Sequence, residues 1–164
     1  VAVDEVVYVL QGRGVASIWA GDHAKKIFEW QSNAMFLIPG NYYCQLSNMQ
    51  GDQSVKLLHC SYLPLAMSVL PDPDYFFNNP LVDYGLLYGE GAREVYSEAK
   101  VVTLNEPGTA RDGRNIWFGN FFADMRAWDR LDHFERRGAG GHVVWVGFPS
   151  SPISAHMSVF PART

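Results

Sequence analysis

The sequence predicts an all-β fold. Six short apolar or alternating runs follow one another within residues 1–62, each closed by a turn signal. The runs are rich in Val, Ile, Tyr, Phe and Trp, the residues that suit a pleated, half-buried surface. Regular spacing of short strands between Gly, Asn and Pro turns is the pattern of a sandwich or barrel.

The first strand is residues 5–10, a β-branched and apolar run buried on at least one face. Gly12 and Gly14 then free the backbone for a tight turn or bulge. Residues 15–19 form the second strand, turned by Gly21 and Asp22. In the third, Ile27, Glu29 and Gln31 alternate with Phe28 and Trp30, so one face is buried. Ser32 and Asn33 turn the chain into an apolar fourth strand, 34–38. Pro39-Gly40-Asn41 stops it, because Pro donates no ladder hydrogen bond and Gly and Asn tolerate positive φ. Residues 42–47 and 55–62 flank the polar segment 48–53 and read as a hairpin.

The texture changes after Pro64. Pro71-Asp72-Pro73-Asp74 and Asn78-Asn79-Pro80 are turn clusters. Residues 65–70 and 75–77 read as short helical or irregular pieces that cover the β-structure, and 92–99 as one or two helical turns. Residues 104–114 are a polar loop. Strands return at 116–122, 142–148 and 153–160, with a glycine-rich joint at 136–141 between the first two. The chain divides into barrel strands at 1–70, a covering segment at 71–140, and at 141–164 either strands completing the barrel or the first strands of a second one. No internal repeat or low-complexity segment is evident.

Composition narrows the function. At 164 residues the chain is one domain's worth, with 48% hydrophobic and 14% aromatic residues, enough to bury a core. The formal net charge of −4 and the lack of basic clusters argue against nucleic acid as a partner. No apolar run has the length of a membrane helix and no secretory leader is evident, so a membrane partner is not expected. Two cysteines, Cys44 and Cys60, make no disulfide framework, which points to the cytoplasm. A chain that opens on Val1, within strand-like sequence, suggests a processed protein or a segment of a longer one.

Glu5 followed by Gly12, and Pro39, Asn41 and Asn48 at their spacing, resemble the two motifs of the cupin superfamily. The blocks Glu5 to Gly14, Phe28 to Gln31 and Arg137 to Gly141, in that order, resemble a bicupin family labelled ethanolamine ammonia-lyase-activating protein. The resemblance covers nearly the whole chain and implies a jelly-roll β-barrel, possibly incomplete, that runs toward a second barrel. It also implies kinship with metal-dependent small-molecule enzymes of the dioxygenase, isomerase or lyase type, and a site for divalent Fe, Mn or Zn. The family's metal-site histidines, however, fall at Cys44 and Leu46, and its first motif-two glycine at Asn33. The remaining histidines would lie at or before Val1 or beyond Thr164. Of the ligand set only Glu5 is retained, and one carboxylate does not hold a first-row metal tightly. No tightly bound cofactor is therefore expected.

Glu5 reads either as a surviving ligand or acid/base, or as a strand-end acid hydrogen-bonded at the rim. Cys44 reads as a thiolate ligand or as a small buried hydrophobe. The hairpin reading sets it almost opposite Cys60, where a disulfide is conceivable but at odds with the expected compartment. Trp30, Phe36, Tyr42, Tyr43 and His59 are candidates for lining a ligand pocket, with core packing as the bland alternative for the aromatics. His59 is the histidine placed to face inward. His23, His133, His142 and His156 show no ligand spacing. Gly12 and Gly14 lack the third glycine and following helix of a nucleotide loop. The functional expectation is a cupin with a degenerate metal site. The alternative is a metal-free cupin that binds a small molecule or serves dimerisation. A homodimer is expected, with 142–160 at or near the interface, because unpaired strand edges invite pairing.

Overall fold

The computed structural model describes residues 1–90, 95–109, 112–130, 135–136 and 140–162. The expected helical turns over 92–99, the glycine joint over 136–141 and His133 fall wholly or partly outside them.

The first half of the chain runs β1 (Glu5–Gln11), β2 (Arg13–Trp19), β3 (Lys26–Gln31), β4 (Met35–Ile38), β5 (Tyr43–Asn48), β6 (Lys56–Ser61). Three short helices follow: α1 (Leu63–Val69), α2 (Pro73–Phe77) and α3 (Gly85–Tyr88). The second half supplies β7 (Lys100–Thr103), β8 (Asn115–Phe118), β9 (Phe121–Phe122), β10 (Glu135–Arg136), β11 (His142–Gly147) and β12 (Ser154–Val159), with a 3₁₀ turn over Met125–Arg130.

These strands make three sheets. The first has the order β6-β1-β4-β9, the second β3-β2-β5, and the third β10-β11-β8-β7 with β12 on β11. The fold is thus mostly β, as expected, and the three sheets do not close into a barrel. β11 and β12 pair with each other in the third sheet and add nothing to the first two.

The first sheet lies in the middle. Val7 and Val9 of β1 and Phe36 of β4 pack with Ala16, Ile18, Phe28 and Trp30 of the second sheet. Val6, Met35 and Leu37 turn the other way, against Trp117, Val144 and Val146 of the third. Successive side chains of a strand point to opposite faces. β1 therefore meets an apolar layer with both faces, which is why it reads as a continuous apolar run where a half-exposed strand would alternate. Val7, Val9, Phe36 and Leu37 are fully buried. Each such side chain contributes roughly 1.5–3 kcal/mol.

The turn chemistry is local. Gly12 has φ +99°, and a Cβ there would meet Val55 Cγ2 at 2.8 Å, so only glycine serves. Asn33 and Asn41 take left-handed φ of 70° and 63° in the turns that bound β4. Asn48 Nδ2 donates to the Gln53 carbonyl at 2.8 Å and Asn48 Oδ1 accepts from the Gln50 amide at 2.8 Å. That turn does not make a hairpin, since β5 pairs with β2 and β6 with β1. The segment between them crosses from one sheet to the other.

The covering segment differs along its length. Leu87 of α3 is fully buried in the core between the first two sheets, and the Tyr88 hydroxyl accepts the Ala20 amide at 3.2 Å. Phe76 of α2 is buried, whereas α1 buries none of its residues. Among the described residues no helix is long and apolar enough to cross a membrane.

Candidate functional site

One end of the space between the first and second sheets gathers the sequence-predicted acid, histidine and thiol. Glu5 opens β1 on the same face as Val7 and Val9, by the two-residue period of the strand. His59 of β6 lies directly across from Val7, and Ser61 across from Glu5. This diagonal brings His59 Nδ1 into a hydrogen bond with Glu5 Oε1, an ion pair when the imidazole is protonated. Both side chains remain partly exposed. Cys44 approaches from the facing sheet, where it pairs with Ile18 of β2 and packs against the shared core.

The surrounding acids are held protonated. Burial, and then the charge of Glu5, push the Cys44 thiol up from 9.0 to about 11. At neutral pH the Cys44 thiol therefore stays protonated, which makes it a poor nucleophile. Burial pushes Tyr42 up to about 12, with smaller contributions from Tyr88 and Asp83. Its hydroxyl donates to the Asp83 carbonyl. Tyr96 is raised well above its usual value, chiefly by burial and then by Cys44 and Tyr42, and its hydroxyl donates to the Leu37 carbonyl at 2.7 Å. Among the described residues no group of three or more His, Cys, Asp or Glu side chains is placed to hold a metal ion.

The candidate pocket residues do not share one lining. Phe36 is fully buried, edge-on to Phe28 with ring centroids 5.3 Å apart. Tyr42 and Trp30 are buried in the same core. Tyr43 points the other way, 62% exposed and stacked on Trp19 at 5.5 Å, because it neighbours the inward Cys44 on a strand of period two. His59 is held by Glu5. Cys44 and Cys60 are both free thiols. They sit on different sheets, since the hairpin that would have set them opposite does not form.

Three features of this region had little or no signal in the sequence. Asp4, 9% exposed, accepts the Gly40 amide at 2.8 Å through Oδ1 and the Ser151 hydroxyl through Oδ2. It ties the head of β1 to the Pro39-Gly40-Asn41 turn and to the loop beyond β11. Tyr96 lies in a stretch without strand periodicity, so nothing marked it as a wall of the site. Trp30 is 97% buried by its 3% exposure, yet its indole Nε1 has no hydrogen-bond partner. Such an orphan donor costs about 1–3 kcal/mol.

No family model, curated protein or solved structure matches this chain.

The thiol state predicts selective labelling. At about pH 8, iodoacetamide should modify exposed Cys60 within minutes and leave Cys44 largely unmodified, as read by intact-protein and peptide mass spectrometry. Equal labelling of the two would contradict the burial of Cys44. The same shift makes stability fall with alkaline pH. The folded state holds the Cys44 proton more tightly than the unfolded chain, so its contribution is present below about 9 and lost as pH rises through about 11. Cys44→Ala should flatten the fall in Tm across that window.

Proposed function

We propose that the chain is a cupin-type jelly-roll protein, related to metal-dependent enzymes of the dioxygenase, isomerase or lyase type, whose metal position has lapsed. The observation that carries this reading is the Glu5–His59 hydrogen bond facing a protonated Cys44. The one acid left from the motif has its lone pair engaged by a histidine of a neighbouring strand, and the thiol in place of the motif histidine does not ionise near pH 7. Glu5 is engaged within the protein and Cys44 packs against the core, which supports a task of holding shape or binding a small molecule in place of metal chemistry. Two free thiols are in keeping with a reducing cytoplasm. Nucleic acid and membrane are not proposed as partners, given the net charge of −4.

EDTA tests the reading. A protein with no metal in its native state has the same Tm before and after chelation. A fall of several degrees that Zn, Mn or Fe restores would show that a metal stabilises the fold and would defeat the proposal.

Association into a homodimer is a second reading, favoured by the open edges. β12 borders the third sheet, and Val159 and Phe160 at its end are 43% and 58% exposed. An unblunted edge of this kind pairs with another edge, here a second copy of the 142–160 segment about a two-fold axis. Light scattering should give a dimer at micromolar concentration, and Val159→Lys should convert it to monomer. A monomeric wild-type chain would contradict this.

A further inference from the structure

The third sheet presents two faces. Trp117, Val144 and Val146 turn inward against the first sheet. By the two-residue period, Ile116 and Phe118 of β8 and Trp145 and Gly147 of β11 turn outward. The parallel register sets Gly147 level with Phe118, so these residues share one face. Gly147 brings no side chain, and a Cβ there would meet Phe118 Cδ2 at 2.9 Å and Ile116 Cγ2 at 3.1 Å. A cavity of about 310 Å³ lies over this face, closed on one side by the loop that leads into β12. Leu104, Ile116, Phe118, Trp145 and Ile153 are its apolar walls, and Arg114 and Glu106 bring one charge of each sign.

The hairpin of β7 and β8 places both charges. Thr103 pairs with Asn115, and the Leu104 amide donates to the Arg114 carbonyl at 2.8 Å. Arg114 lies two residues before Ile116 and so on its face. Val102, Leu104 and Glu106 are partly buried while Val101, Thr103 and Asn105 are exposed, so the alternation of β7 carries Glu106 to that face too. Glu106 Oε2 accepts the Thr109 hydroxyl at 3.3 Å, and its other oxygen takes no bond from a described residue. Arg114 already has contacts within the protein, but its five N–H donors can take a carboxylate beside them.

A cavity of this size, with apolar walls and a few convergent polar groups, is the usual form of a small-molecule site. The charges narrow what enters it. A simple acid would meet Glu106 as a like charge, and a simple amine would meet Arg114 as one. A ligand with both charges satisfies both.

We propose that this cavity binds a small zwitterion with an apolar body, an α-amino acid with an aliphatic or aromatic side chain. Arg114 takes the carboxylate, Glu106 takes the ammonium group, and the apolar body packs on Ile116, Phe118 and Trp145. The site uses none of Glu5, His59 and Cys44, so it stands or falls independently of the lapsed-metal reading.

Calorimetric titration at neutral pH with L-phenylalanine and L-leucine tests this. Glycine lacks the apolar body, 3-phenylpropionate the ammonium group and phenethylamine the carboxylate. The expected result is saturable binding of phenylalanine or leucine with a Kd of about 1 mM or tighter. Each of the three lesser probes should bind about tenfold more weakly or worse. The indole ¹H–¹⁵N signal of Trp145, identified by Trp145→Phe, should move with phenylalanine and so place the binding in this cavity. Glu106→Gln should weaken phenylalanine about tenfold without weakening 3-phenylpropionate, whereas Arg114→Gln should weaken both. Glu106 stands in a loop, so its variant keeps the test standing if Arg114→Gln fails to fold. No binding of either amino acid would overturn the proposal. So would 3-phenylpropionate or phenethylamine binding as tightly as phenylalanine, an unmoved Trp145 signal, or phenylalanine binding unchanged in Glu106→Gln. A dimer that Ile153→Lys dissociates, with no amino acid bound, would assign this face to a second copy instead.

Discussion

Gly14→Ala is expected to destabilise the protein by about 3 kcal/mol or more, among the largest single effects available in this chain. The backbone dihedral of Gly14 is ordinary; the constraint is space. A Cβ would stand 2.2 Å from the Ser47 carbonyl oxygen and 2.3 Å from Trp30 Cζ2. The first obstacle is backbone of the paired β5, and the second is a ring packed into the core, so neither yields cheaply. Relief requires β2 to separate from β5 or Trp30 to leave its place between the sheets. Urea unfolding followed by circular dichroism should show a large drop in midpoint or no folded protein at all. Gly51→Ala is the control, because nothing lies within 4 Å of its Cβ position. It should stay within about 0.5 kcal/mol of wild type. Equal stabilities of the two variants would refute the close approach at Gly14.

Asp4→Ala comes second, at about 2–4 kcal/mol. Its carboxyl group receives two hydrogen bonds at once, from Gly40 and from Ser151, 147 residues away in sequence. Removing it strands a backbone N–H and a hydroxyl and loosens the third sheet from the first. Asp4→Asn keeps one acceptor oxygen and should lose less, about 1 kcal/mol. Hydrogen exchange would distinguish this from a local effect: protection should fall in both the Gly40 turn and the loop that carries Ser151. A loss confined to one of them would contradict the bridging role.

Strands were legible in this sequence to a degree that their partners were not. β-Branched runs between Gly, Asn and Pro marked β1 to β6 nearly to the residue, and the same chemistry marked β8, β11 and β12. Pairing is a different matter. The polar segment between β5 and β6 has the composition of a hairpin turn, but nothing local says whether the next strand returns beside its predecessor or crosses to the facing sheet. Here it crosses, and with it went the idea of Cys44 opposite Cys60. β7 was missed, since Lys100-Val101-Val102-Thr103 is short and its partner β8 lies beyond a polar loop. The run at 116–122 looked like one strand; Gly119 and Asn120 break it into β8 and β9, which serve two different sheets.

The site was half legible. The strand reading set His59 on what is β6, and the motif spacing singled out Glu5 and Cys44. That Glu5 and His59 meet depends on a diagonal across β1 and β6, a register the sequence does not display. Tyr43 shows the limit of composition: it belongs to the same aromatic pair as Tyr42, yet one ring is buried and the other stacks on Trp19 outside. Asp4 and Glu5 are adjacent acids with different tasks, one bridging sheets and the other meeting a histidine, because adjacent side chains of an extended chain point to opposite sides.

The lapsed-metal reading is tested most directly by elemental analysis of the wild-type protein, expressed with added iron, manganese and zinc and purified without chelator. The account predicts far less than one equivalent of any of these metals per chain, with Cys44→Ala unchanged from wild type. About one equivalent of a single metal, lost in Glu5→Ala and His59→Ala, would contradict it.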